Sequence, residues 1–100
     1  MDDILSGILE RLIDDNIKAE SRSTFSTLMA KEAGLDIKNE LDYGLGHAHG
    51  VIRASFITAF IEIERRLPDD IEMLEMNEII FNRNADLKDA ILKSGGKLNT

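Results

Sequence analysis

His47-Ala48-His49 is the one place in the chain where two imidazoles stand close together. Imidazole can ligate a metal, accept a phosphoryl group or move a proton near neutral pH, so this tripeptide decides whether chemistry is open to the protein. On a continuous helix, neighbours two apart diverge by about 160–200°, and such a pair cannot share one ion. Folded as a loop, the two rings could converge with Glu40 or Asp42 on a cation. The periodicity described below favours the helix, with His49 at the edge of the apolar face and His47 on the surface, toward Thr58 and Arg65. The chain has no cysteine, which excludes disulfides, thiolate zinc sites and thiol catalysis.

Other patterns fall short of the ligand sets they would need. Asn82-x-Asn84-x-Asp86 has the opening spacing of a calcium loop, but Leu87 stands where the turn needs glycine and Lys93 where a bidentate glutamate is required. It reads instead as a helix break, with Asn84 or Asp86 as an N-cap. Glu62, Glu64, Asp69, Asp70, Glu72, Glu75 and Glu78 crowd one stretch, yet no second acidic pair follows at the spacing a magnesium site would need. This stretch reads as a solvated face suited to a basic protein partner. The hydroxyls, Ser23 and Ser26 among them, lack a recognisable histidine partner, and there is no glycine-rich phosphate loop.

In gross layout the chain resembles the histidine phosphotransfer domains, which are small acidic helical bundles with an exposed histidine midway along a central helix. That resemblance would make His47 the phosphoacceptor. The family places Lys and Gly three and four residues after its histidine. Here Gly50 and Val51 follow His47, and Ile52 and Arg53 follow His49. The departure removes the cation that would orient the phosphoryl group, so the resemblance is one of shape and covers no diagnostic motif.

The elements that must position these residues are all helical. Ile4, Leu5, Ile8, Leu9, Leu12 and Ile13 form one stripe of a helix running to about Ala19, capped by Asp2 or Asp3. The polar run Glu20–Thr24 ends it, and a short helix follows that gathers Phe25, Leu28 and Met29, with Gly34 as its left-handed terminator. One unbroken helix from Asp3 to Ala33 is the alternative. From Ile37 to Leu67, apolar residues keep a 3.6-residue phase without slipping, through Leu45, Ala48, Ile52, Phe56 and Phe60. The phase predicts one helix of about 46 Å, capped by Asp36 and stopped by Pro68. Its three interior glycines cost about 1 kcal/mol each relative to alanine and argue for a break around 44–50. Asp69-x-x-Glu72 predicts a capping box for the next helix, and Leu87, Ala90, Ile91 and Leu92 a last one, ending at Ser94-Gly95-Gly96. The expected architecture is all-α: a four- to five-helix bundle with one long glycine-containing central helix, a single domain over 1–96 and a frayed tail at 97–100.

Composition agrees. Of the 100 residues 43% are hydrophobic and 31% charged, the balance of a folded domain, and one proline with five aromatics disfavours a turn-rich β-sandwich. A net charge of -7 argues against direct nucleic-acid binding. The opening Met1-Asp2-Asp3 is acidic where a secretory signal would be basic. The window Tyr43–Ile61 contains Gly46-x-x-x-Gly50, but Arg53 near its centre and the two histidines argue against a membrane span. A cytoplasmic location is expected.

The long helix also carries a second stripe: Tyr43, Gly46, Gly50, Ala54, Ile57 and Ile61. A helix at the edge of a bundle needs only one apolar face, so a second implies either complete wrapping or another protein at its back. Covering about 46 Å of helix all round would take most of the remaining chain. These six residues, with Arg53 pairing across to Asp42 or Glu64, are the expected interface of a homodimer or higher assembly. The expected function is a non-enzymatic protein–protein interaction module (adaptor, regulator or assembly component) without cofactor or metal. The alternative is a phosphotransfer-like or metal-binding bundle using His47 and His49.

Overall fold

A computed structural model describes the backbone of residues 1–19 and 21–98 and the side chains of 1–19 and 22–94. It contains five helices and no strand among the described residues: α1 (Asp3–Lys18), α2 (Ser21–Glu32), α3 (Glu40–Glu64), α4 (Asp70–Asn82) and α5 (Asn84–Leu98). The all-α bundle expected from the periodicity is thus present. No described helix is long and apolar enough to cross a membrane.

Local chemistry explains most boundaries. Asp2 caps α1 by accepting from the Leu5 N–H at 2.8 Å. The polar run expected to end the first helix is in part the start of the second, because Ser21–Thr24 form the first turn of α2; Glu20 lies outside the described residues. Gly34, at φ +97°, supplies the left-handed turn after α2.

α3 is continuous through Gly44, Gly46 and Gly50, as the unslipped phase predicts, but shorter than 37–67 at both ends. Asn39, not Asp36, is its cap, accepting from the Asp42 N–H at 3.0 Å. Arg65, at φ 58° and ψ 31°, closes it three residues before Pro68. Proline bars the preceding residue from helical geometry, and the chain has already turned. Twenty-five residues give a rod of about 37 Å.

The capping box at Asp69 and Glu72 is present in both directions. The break before α5 is the single residue Arg83, and Asn84 spends its side chain on His49 rather than on a cap. α5 runs through Gly95-Gly96 to Leu98, past the expected stop, while 99–100 of the expected tail lie outside the described residues.

The core follows from the stripes. Leu5, Leu9 and Ile13 of α1 pack with Leu45, Ala48, Ile52, Phe56 and Phe60 of α3, Met76 and Ile80 of α4, and Leu87 and Ile91 of α5. α1 and α5 each touch both α3 and α4, whereas α4 meets α3 through long side chains. Arg83 clasps α5 to α1. Its Nη1 donates to Glu10 at 2.6 Å, Nη2 to Asp14 at 2.8 Å and Nε to Asp86 at 2.9 Å, and these bonds, Asp14's first, raise its already high pKa.

α2 departs from its hydropathy. Ser23, Thr27 and Ala30 face inward, Ser23 only 3% exposed, while Phe25, Leu28 and Met29 face outward, Phe25 at 59%. A Cβ placed on Gly44 would sit 3.8 Å from the Ser23 Cβ and 3.5 Å from Ile91, so α2, α3 and α5 meet where a large side chain has no room. The inward hydroxyls are satisfied. Thr27 Oγ1 donates to the Ser23 carbonyl at 3.0 Å, and Ser94 Oγ on α5 donates to Thr24 Oγ1 at 2.9 Å.

Candidate functional site

The histidines leave α3 on opposite flanks. His47 is half-buried rather than on the surface, because Nδ1 lies 3.1 Å from Ser23 Oγ on α2. The contact has the composition of a nucleophile–base pair, but a hydroxyl this buried cannot reach a substrate. His49 turns the other way. Its Nε2–H donates to Asn84 Oδ1 at 2.7 Å, and its ring meets Phe81 edge-on at 5.5 Å. Helical geometry therefore separates the imidazoles, and each is used in tying another helix to α3. No group of three or more histidine and acidic side chains among the described residues is arranged to hold a metal.

A pocket of about 330 Å³ opens beside Arg83 between α1 and α5, with Asp14, Ile17, Lys18, Asp86 and Ala90 in its wall. Arg83 in its wall is already held by three carboxylates, so the geometry is that of an interhelical clasp.

The second stripe of α3 lies between the two flanks. Tyr43, Gly46, Gly50, Ala54 and Ile61 are exposed, and an added Cβ at Gly46 or Gly50 would meet nothing within 4 Å. Val51 is exposed beside them. Ile57 is half-buried, its body packed against the core. Arg53 is half-buried too: Nε donates to Asn77 Oδ1 on α4 at 2.9 Å, and the guanidinium carbon lies 5.9 Å from the centre of the Phe81 ring. Within the chain, Arg53 therefore bridges to α4, not to Asp42 or Glu64.

This bridge identifies residues that the reading of α3 alone missed. Leu74 and Phe81 stand three before and four after Asn77, on the same face of α4, and are 69% and 51% exposed. They extend the apolar surface across the α3/α4 seam. Their i, i+3, i+7 spacing is visible in the sequence, but only the Arg53–Asn77 contact shows which helix they adjoin.

The chain matches no protein-family model, no curated protein and no solved structure.

Proposed function

We infer that this protein is a small acidic helical interaction module, non-enzymatic, that self-associates through the outer face of α3. One observation supports the reading: α3 is unbroken, and at its back Tyr43, Gly46, Gly50, Ala54 and Ile61 are exposed, with Ile57 half-buried among them. Burying apolar surface removed from water is worth about 25 cal/mol per Å², and glycine and alanine at successive i+4 positions let a second helix approach closely. The acidic residues around α4 provide a second surface suited to a basic protein.

Light scattering coupled to size-exclusion chromatography tests the reading. The expected mass is twice the chain mass of 11.2 kDa. A value near a single chain at all concentrations overturns it.

A further inference from the structure

We propose that α2 is an exchangeable element: α1 and α2 straighten into one helix, and the α2 of one copy then occupies the α3/α5 seam of a second copy. The junction is the first reason. α1 ends at Lys18 and α2 starts at Ser21. Ala19 between them departs from helical geometry, with ψ at 40° where a helix has about −42°. Its N–H still donates to the Asp15 carbonyl at 3.0 Å, and its carbonyl accepts from the Arg22 N–H at 3.0 Å. Ala19 and Glu20 are both strong helix formers, and no glycine or proline stands between Gly7 and Gly34. Returning the junction to helical ψ, about 80° away at Ala19, lets the last carbonyls of α1 accept from the first N–H groups of α2. Separate helix ends leave those groups without such partners. The product is a single helix from Asp3 to Glu32, about 45 Å long.

The seam is the second reason. α2 packs on α3 and α5 through small and polar side chains around the close approach at Gly44. Ser23 Oγ lies 3.1 Å from His47 Nδ1, and Ser94 Oγ donates to Thr24 Oγ1 at 2.9 Å. Straightening lifts α2 off its own seam and leaves His47 and Ser94 without these partners. The α2 of a second copy carries the same Ser23 and Thr24, so it restores each contact between chains. The seam then contributes equally in both forms, the straightened junction favours exchange, and dilution opposes it. This route does not use the outer face of α3. A two-chain mass at high concentration does not by itself tell the two apart.

Cysteine, absent from the chain, reads the exchange directly. A Cβ on Gly44 would sit 3.8 Å from the Ser23 Cβ, and the two Cβ atoms of a disulfide are about 3.8 Å apart on average. Ser23→Cys and Gly44→Cys chains are prepared separately, checked for folding by circular dichroism, mixed at high concentration under reducing conditions and oxidised. The Ser23→Cys/Gly44→Cys double variant, oxidised when dilute, should close the same disulfide within one chain. Thr24→Cys with Ser94→Cys, the smaller changes, gives a second pair for the same experiment.

The expected result is a covalent dimer from the mixture and none from either chain alone, because positions 23 and 44 are both buried inside the seam. Ser21→Pro in both chains should abolish that dimer and keep the helical circular dichroism. Proline is tolerated at the first position of α2, whereas within one long helix it removes a hydrogen bond and clashes with the preceding turn. Gly50→Leu, aimed at the other surface, should leave the dimer in place. A mixture that gives no covalent dimer while the double variant closes overturns the exchange, and so does a dimer that survives Ser21→Pro. Failure of the double variants to close would take α2 off the seam and overturn it as well.

Discussion

At the scale of single residues, Glu72 carries three interactions on one carboxylate. It accepts from Arg66 Nη1 at 2.7 Å and Nη2 at 3.1 Å, and from the Asp69 backbone N–H at 3.0 Å. The Arg66 hydrogen bonds first, then the backbone one, bring its pKa down from 4.5 to about 2. A carboxyl lowered by folding adds stability that is complete above its unfolded value and lost as pH falls toward the folded one. Thermal melts of Glu72→Gln should therefore lie below wild type from about pH 5 upward and converge with it near pH 2. Parallel curves across that range would contradict the assignment. Arg65 is a second residue-scale case, a side chain in the left-handed conformation, which costs an L-residue roughly 1–2 kcal/mol. Arg65→Gly should raise stability by about 0.5–1 kcal/mol in denaturant titrations, after glycine's own entropic cost.

At the scale of elements, what the sequence revealed depended on how strongly one face dominated. α1 was legible because Leu5, Leu9 and Ile13 recur on a narrow stripe with Arg11, Asp14 and Asp15 exposed opposite, and the phase of α3 because Leu45, Ala48, Ile52, Phe56 and Phe60 keep a 3.6-residue period without slipping. The capping box was legible because Asp69 and Glu72 are local partners. The start of α3 was not, since Asp36 and Asn39 are both competent caps and the choice depends on tertiary contacts. The inward face of α2 was hidden for a different reason. Phe25, Leu28 and Met29 are the residues hydropathy sends inward, but the close approach at Gly44 suits a side chain as small as Ser23, and Thr27 and Ala30 are buried on the same face. Ser23→Leu should therefore destabilise by about 1–3 kcal/mol through overpacking. Phe25→Ser should change stability by no more than about 0.5 kcal/mol. Chemical denaturation of the two variants checks this, and the reverse order would mean that α2 faces the other way. The second stripe of α3 was readable as residues, while its extension onto Leu74 and Phe81 required knowing that Arg53 reaches Asn77.

At the scale of the molecule, the bundle is elongated, 43 × 24 × 19 Å, with a radius of gyration of 14.6 Å against about 13 Å for a compact chain of this length. An elongated shape leaves most of one side of α3 exposed, and that surface is where the proposed assembly would form. Gly50→Leu separates assembly from folding, because no atom of the chain lies within 4 Å of a Cβ placed on Gly50, whereas a second helix on the proposed interface would occupy that space. The variant should keep its helical circular dichroism and its cooperative melt while its light-scattering mass falls to that of one chain. Loss of the fold would instead place Gly50 in the monomer's own packing.

The seam that holds α2 buries hydroxyls and an alanine where the rest of the bundle buries leucine, isoleucine and phenylalanine. A layer attached with so little apolar area separates from the body at low free-energy cost while the remaining helices stay folded. Amide hydrogens across 21–32 should exchange with deuterium ahead of those in the middle of α1 and α3. The bundle then unzips from one edge, and the peptide Ser21–Glu32 is where a protease would make its first cut.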